Sequence, residues 1–458
     1  MMPDVKDHTL LILGLGRSGC AAGALLRRHG ARTIGADDGD ESAVQRRWSR
    51  EDLDELAGTA FDELKVGGSW QDLDPTSMDA VVLSPGVPPT IPALQRLRQA
   101  GIPVHGELEW ASRFLAGRSI AVTGTNGKST TTAWLAHILT TMGITSPAVG
   151  NLGTPLAAVA DTLGPEAIPV VECSSFQLET IDTWRPSVGL VLNLAPDHLD
   201  RYPDLAGYYE AKARLATKVH TDGAFVTWTQ CPEALQWKHT GQRILFGDRE
   251  AGARSWIADE AIWISKEGRD HRLVSLADIA LQSPPNLLNA VAAAAAVQPL
   301  VDDLDALAEG LRSFRGLSYR HQLVGRLNNV RFVDDTKATN VHAVCAGLDG
   351  YPTPVVLIVG GRGKGEDYTP LRAVMGSVRH VVTIGEEGPA IAQALQGIVP
   401  CHAAPGMKEA VTLAADLAAP DATVLLSPAC ASFDMFASYR ERGLAFTAAA
   451  RSLGAQED

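Results

Sequence analysis

Gly124-Thr125-Asn126-Gly127-Lys128-Ser129-Thr130 stands between a short apolar run, Ser119 to Val122, and a helix-like stretch, Lys128 to Met142. A strand, a glycine-bearing turn and a helix in that order make an anion cradle, because free N–H groups and the helix dipole meet at the helix start. The spacing is a shortened G-x-x-x-x-G-K-[ST], since Val122 stands where its first glycine would fall. The chemistry survives: the backbone of Gly124 to Thr130 can hold phosphate, Lys128 can neutralise the β and γ oxygens, and Ser129 can ligate Mg²⁺. A chance Gly-Lys-Ser would lack the flanking strand and helix. The segment therefore predicts an ATP site on a parallel sheet.

Toward the N-terminus the same succession recurs, with Thr9 to Leu13 as strand, Gly14 to Gly19 as turn and Cys20 to His29 as helix. The turn reads G-x-G-x-x-G, and Asp37 and Asp38 lie where an acidic ribose contact would fall. Its glycines either hold a diphosphate or merely allow tight strand-to-helix packing. Ala80 to Leu83 is another strand, running into Ser84-Pro85-Gly86. Toward the C-terminus, Pro169 to Glu172 and Val188 to Asn193 read as buried strands, and Asn289 to Val297 as an Ala-rich helix after a loop that holds Pro284 and Pro285. After Arg315-Gly316 the alternation restarts, with strands expected at Val330 to Val333, Val355 to Val359, His380 to Ile384 and Thr423 to Leu426. The reading is α/β in three domains: an N-terminal Rossmann-like domain, 1–105; a central P-loop ATPase-like parallel sheet, 106–316; and a C-terminal Rossmann-like domain, 317–458. The 458 residues agree with that number at roughly 150 per domain.

A net charge of −13 disfavours nucleic acid as a partner, so an anionic ligand must be met by local cations. Six scattered cysteines show no C-x-x-C pair and no zinc spacing, which predicts free thiols in a reducing compartment. Lys6 is followed by an apolar run without a cleavage site, and the charge-free stretch 279–301 is broken by Pro284, Pro285, Asn286 and Asn289. These features predict a cytoplasmic protein with no membrane insertion.

Other motifs follow strands. Glu172 is a natural oxygen ligand for magnesium at one strand end, and Asp197-His198 near another is either a metal contact or a solvated helix start. Asp334-Asp335-Thr336-Lys337, Gly360-Gly361-Arg362-Gly363-Lys364-Gly365 and Ser427 to Asp434 each end a strand in the third domain, where open α/β sheets bind ligands. Cations with hydroxyl donors there suit a dicarboxylate.

Taken together these residues resemble the Mur ligase family, over about Leu10 to Phe446. The signatures are G-T-N-G-K-S-T (124–130), G-N-L-G-T-P (150–155), E-C-S-S-F-Q-L-E (172–179), N-L-A-P-D-H-L-D-R-Y (193–202), Y-Y-E-A-K (208–212), N-L-L-N-A (286–290), D-D-T-K-A-T-N (334–340), G-G-R-G-K-G (360–365) and S-P-A-C-A-S-F-D (427–434). The last three resemble the branch that adds D-glutamate. The resemblance implies a monomer that uses ATP and Mg²⁺ to join UDP-N-acetylmuramoyl-L-alanine to D-glutamate. It implies Gly14, Ser18, Asp37, Asp38 and Ser84 at the UDP end, and Asn151 and His198 near the muramoyl group. Lys128, Ser129, Glu172 and His198 would serve phosphate and metal. Lys212, read alone a solvated helix residue, matches a lysine that the family carbamoylates into a metal ligand. With Gly124, Thr125, Asn126, Gly127 and Thr130, the residues Asn286, Asn289, Arg320 and Asp335 would hold the nucleotide. Lys337, Thr339, Lys364, Ser432, Phe433 and Tyr439 would hold glutamate.

Departures are Pro285 and Tyr319, each where the family commonly has His, and Tyr439, which keeps an aromatic ring. The same reaction with L-glutamate stays open, since no residue type announces handedness. A folylpolyglutamate synthase-like ligase would lack a UDP-binding first domain, and a dinucleotide oxidoreductase or a non-catalytic nucleotide-binding subunit would leave the Lys128 loop without a task.

Overall fold

The computed structural model describes residues 4–39, 59–198, 201–348, 351, 353–363, 365–418 and 420–456. Three sheets carry the chain. The first has strands β1 (Thr9–Leu13), β2 (Arg32–Asp37), β3 (Glu63–Val66), β4 (Ala80–Leu83) and β5 (Val104–Gly106), ordered β3-β2-β1-β4-β5 and parallel throughout. β1 and β4 are buried on both faces, which is why they read as uninterrupted apolar runs.

The second sheet holds β6 (Ile120–Thr123), β7 (Ala148–Gly150), β8 (Val170–Glu172), β9 (Val188–Val191), β10 (Ala224–Trp228), β11 (Gln242–Gly247), β12 (Ser255–Ala258), β13 (Ala261–Lys266) and β14 (Arg269–Ser275). Its order is β14-β13-β12-β11-β10-β9-β6-β8-β7. β6 lies between β8 and β9, so the loops after all three strands open at one edge of the sheet. β12 and β13 pair antiparallel.

The third sheet is β15 (Gln322–Leu327), β16 (Val330–Asp334), β17 (Val355–Gly360), β18 (Val378–Ile384), β19 (Cys401–Ala403) and β20 (Thr423–Leu426), ordered β15-β16-β20-β17-β18-β19. β15 and β16 form an antiparallel hairpin, and the remaining pairs are parallel.

By compactness the chain divides in two: Met1–Val274 with Val291–Leu311, and Ser275–Ala290 with Arg312–Asp458. In the first unit one apolar cluster runs from Leu10, Ile12 and Leu25 through Leu108, Trp110 and Phe114 to Val149, Val171 and Leu215, so the first two sheets share a core. In the second unit one cluster joins Val333, Val344, Leu357 and Leu371, and another joins Phe332, Val356, Val424 and Phe446, in keeping with a sheet covered on both faces.

Two helix starts lie earlier than the sequence predicts. The first helix is Arg17–Arg28, three residues ahead of Cys20, with an extended Gly16 as its N-cap and Arg27 and Arg28 opposite the dipole in its last turn. The Ala-rich helix is Pro284–Val297, not Asn289 to Val297 after a loop. Its two prolines stand in the first turn, where a missing N–H loses no intrahelical bond. All six cysteines are free thiols. No helix among the described residues is long and apolar enough to cross a membrane.

Candidate active site

The loop after β6 is held by the loop after β9. Thr125 N–H donates to the Asn193 carbonyl (2.8 Å), and its Oγ1 accepts from Ala195 N–H (3.0 Å). Asn126 N–H donates to Asn193 Oδ1 (2.9 Å) while Asn193 Nδ2 donates to the Asn126 carbonyl (3.1 Å). Gly127, at φ 82°, turns the chain into the helix Lys128–Thr141, whose first N–H groups face the loop. Lys128 Nζ folds back to the Thr125 carbonyl (2.7 Å), and Ser129 and Thr130 are buried at the helix start. Side chains thus set the cradle before any phosphate enters it.

Beneath this loop lies Lys212, 1% exposed, on the helix Leu205–Lys218. Its Nζ donates to the Gly124 carbonyl (2.8 Å) and rests 4.7 Å from the centroid of the Tyr208 ring, one turn earlier. Burial holds its amine well below the ordinary lysine value, and the charge of Lys128 pushes the same way. A neutral amine is the nucleophile that carbamoylation needs. Glu172, 2% exposed at the end of β8, accepts from Asn151 Nδ2 at Oε1 (2.9 Å), while its Oε2 is buried with no hydrogen-bond partner. A buried carboxylate oxygen left unpaired fits a cation ligand. Asp197 and Glu172 both act electrostatically on Lys212. His198 adopts a left-handed backbone (φ 54°) and sets its ring against Phe176 (centroids 4.9 Å) and Tyr208 (6.0 Å). Among the described residues no group of three His, Cys, Asp or Glu side chains is placed to hold a metal. A carbamate on Lys212 would add the carboxylate such a set lacks.

The glycine motif after β1 lines a cavity of about 600 Å³ with Gly14, Ser18, Asp37, Asp38, Trp70 and Ser84 on its wall. That volume lies in the range of small-molecule sites. The glycines differ in role. Gly14 (φ 90°) would bring a Cβ to 2.9 Å from Ser84 Cβ, and a Cβ on Gly19 would strike the Gly14 carbonyl oxygen, so these two serve strand-to-helix packing. Gly16 has nothing within 4 Å and leaves its backbone open to a ligand. Ser84 Oγ donates to the Gly14 carbonyl (2.6 Å), Asp37 Oδ2 accepts from Leu15 N–H (3.1 Å), and Asp38 Oδ1 accepts from Trp70 Nε1 (2.6 Å).

In the second unit the loops after β16, β17 and β20 are tied together. Ala429 N–H donates to the Ala338 carbonyl (2.9 Å), and Arg362 bridges Ala431. Arg442, 1% exposed, donates to Thr336 Oγ1 (2.8 Å), to the Thr336 carbonyl (3.0 Å), and to the carbonyls of Cys430 and Ala431 (each 3.1 Å). Asp335 accepts from Ser427 Oγ (2.9 Å). Lys337 Nζ sits 3.9 Å from the centroid of the Tyr439 ring, which Tyr319 meets edge-on. Burial raises the Tyr439 hydroxyl, but the Arg440 hydrogen bond and the charges of Lys337, Arg440 and Arg320 outweigh it and leave it below the ordinary phenol value. Thr339 N–H donates to the Lys337 carbonyl, Ser432 is buried and Phe433 is 65% exposed. Asn289 Nδ2 donates to Asn286 Oδ1 (3.3 Å). Lys364 lies outside the described residues, as do 199 and 200 of the Asp197-His198 segment.

Within the first unit the structure brings Lys128, Glu172, Asn151 and Lys212 to one place and keeps Gly14, Ser18, Asp37, Asp38 and Ser84 at the separate cavity. Within the second it gathers Arg320, Lys337 and Tyr439. The sequence reading missed Asn193, Tyr208 and Arg442. Asn193 and Tyr208 stand inside motifs already quoted, where the polar residue after β9 and the ring one turn before Lys212 were usable signals. Arg442 reads as one more helical surface arginine and carries no such signal.

Residues 122–297 match the Mur ligase middle domain and residues 319–430 the Mur ligase, glutamate ligase domain. A UDP-N-acetylmuramoylalanine--D-glutamate ligase of Anaeromyxobacter dehalogenans (strain 2CP-C) is 41% identical over 459 residues, covering 97% of each chain. The protein of the same name from Pelotomaculum thermopropionicum is 37% identical, again over 97% of each. Among solved structures, MurF ligase from Thermotoga maritima in complex with ADP has a TM-score of 0.61 at 14% identity, covering 99% of this chain and 100% of that one. UDP-N-acetylmuramate-alanine ligase MurC from the same organism has a TM-score of 0.59 at 18% identity, covering 97% and 100%. These two likenesses establish the fold.

Proposed function

The chain belongs to the Mur ligase family, and on that premise we propose that it joins D-glutamate to UDP-N-acetylmuramoyl-L-alanine in an ATP-dependent reaction of peptidoglycan precursor synthesis. The substrates follow from the names of relatives up to 41% identical over nearly the whole chain. One observation carries the chemistry: a buried, deprotonation-prone Lys212 under the Gly124 carbonyl, beside Lys128 and the unpaired Glu172 Oε2.

A carboxylate resists an amine because its oxygen leaves poorly. Transfer of the γ-phosphoryl group of ATP to that oxygen gives an acyl phosphate and ADP, and splits one hard step into two easier ones. The N–H groups at the start of the helix Lys128–Thr141 and the Lys128 ammonium hold the phosphoryl oxygens, so catalysis is mainly positioning and electrostatics. The glutamate amine then attacks the carbonyl, loses a proton, and phosphate departs. Ser129, Glu172, His198 and Lys212, once it has added CO₂ with loss of a proton, would hold a magnesium ion that supplies further charge neutralisation.

The UDP end of the substrate is assigned to the cavity of Gly14, Ser18, Asp37, Asp38 and Ser84, and the muramoyl end to Asn151. Asn286, Asn289, Arg320 and Asp335 are assigned to the nucleotide. Lys337, Thr339, Lys364, Ser432, Phe433 and Tyr439 are assigned to glutamate. The same reading divides the chain into domains 1–105, 106–316 and 317–458 and makes it a cytoplasmic monomer. The test is phosphate release with ATP, UDP-N-acetylmuramoyl-L-alanine and each glutamate enantiomer in turn. Release that requires both the UDP substrate and D-glutamate is expected. Preference for L-glutamate would move the protein to the alternative reading, and release without the UDP substrate would overturn both.

A further inference from the structure

Resting on the assignment of Asp335 to the nucleotide, we infer that His321 is a positioning residue that holds the Asp335 carboxylate in its binding orientation. His321 Nδ1 lies 3.2 Å from Asp335 Oδ1, and its backbone N–H donates to the same oxygen (3.3 Å). A carboxylate only accepts, so Nδ1 carries the proton of this contact. The other oxygen, Oδ2, is taken by Ser427 Oγ (2.9 Å). Asp335 N–H donates to the Leu426 carbonyl (2.8 Å), which fixes the backbone from the neighbouring strand. With both oxygens engaged the carboxylate is held against rotation, and with His321 Nδ1 and N–H on Oδ1 and Ser427 on Oδ2 the acceptor site left over lies on Oδ2.

The surroundings are arranged for that imidazole. His321 holds a left-handed backbone at φ 48°, as does Tyr319 at φ 69°, and non-glycine residues keep such a conformation only where neighbours over-determine it. Tyr319 N–H is satisfied by Gln322 Oε1 (3.0 Å). On the helix Val341–Leu348, Gly347 leaves the space: a Cβ there would come within 2.7 Å of His321 Cε1. The imidazole is therefore clamped between that glycine and Asp335.

The experiment compares four variants of the full chain in steady-state kinetics, with thermal melting as the check on folding. His321→Phe keeps the ring volume against Gly347 and removes the donor, and its KM for ATP should rise about tenfold, the worth of a hydrogen bond to a charged group, with KM for the UDP substrate unchanged. His321→Ala should do the same. His321→Asn places an amide donor near Nδ1 and tolerates the left-handed backbone, so its KM for ATP should stay within about twofold of the native value. Asp335→Asn should raise KM for ATP at least as far as His321→Phe. If Asp335→Asn raises it and His321→Phe, folded, does not, the positioning role is wrong while the nucleotide assignment stands. If Asp335→Asn leaves it unchanged, the nucleotide assignment fails and the role of His321 fails with it.

Discussion

Two side chains of the first unit to which the proposed chemistry is assigned, Lys128 and Lys212, can each be examined alone. Lys128→Ala removes the cation assigned to the transferring phosphoryl, and phosphate release at saturating substrates should fall by about a hundredfold or more; near-normal turnover would refute its role. Lys212 should react with ¹³C-labelled bicarbonate to give a carbamate resonance that is absent from Lys212→Arg. A native spectrum without that resonance would remove Lys212 from the metal set. Glu107 is a different case: it is 1% exposed, Oε1 accepts from Ala157 N–H (2.8 Å), and Oε2 has no partner. Burial raises its carboxyl from 4.5 to about 7 against the lowering effect of the Ala157 bond. Between those values the folded chain keeps a proton that the unfolded chain releases, so its contribution is most favourable below 4.5 and worsens as pH rises to about 7. Glu107→Gln should match the native protein near the low end of that window and gain on the order of 3 kcal/mol relative to it at the high end, as read from urea unfolding at both pH values. Lys128 was legible because its motif states its chemistry. Glu107 was not, since burial is a property of the folded chain.

At the scale of elements, the glycine turn after β1 separates packing from binding. Gly19→Ala places a Cβ against the Gly14 carbonyl oxygen and should lower the melting temperature, whereas Gly16→Ala has open space and φ −84° and should fold normally. The Gly16 variant should nonetheless bind the UDP substrate less tightly by calorimetry, because the added methyl occupies the ligand's approach; unchanged affinity would show that the turn serves packing alone. β1, β4 and β6 were legible as apolar runs before glycine-bearing turns, and β16, β17, β18 and β20 as apolar runs before polar or glycine-bearing loops. β15 was not, although Asn328 and Asn329, at φ 48° and 65°, make the two-residue turn that joins it to β16. Their signal was present in Leu327-Asn328-Asn329-Val330, but Gln322 to Leu327 is only partly buried and lacks an apolar run. β11 and β14 escaped for the same reason, being half exposed and charged, whereas β10 is a buried apolar run that the sequence reading overlooked.

Across the whole chain, three sheets were expected and three are present, yet packing does not divide the chain where the sheets do. Leu10 and Ala121 belong to one apolar cluster, so β1 and β6 should lose hydrogen-exchange protection together as urea rises. Loss in β1 well before β6 would mean that the first sheet folds independently. This continuity was invisible in the sequence, because each amphipathic helix shows that it has an apolar face and not which sheet the face will meet. In the proposed reaction the substrate carboxylate is phosphorylated before the amine arrives. That order is tested most directly with UDP-N-acetylmuramoyl-L-alanine labelled with ¹⁸O in both carboxylate oxygens, followed by mass analysis of the released phosphate. One labelled oxygen in each phosphate is the predicted result, and amide product accompanied by unlabelled phosphate would contradict the account.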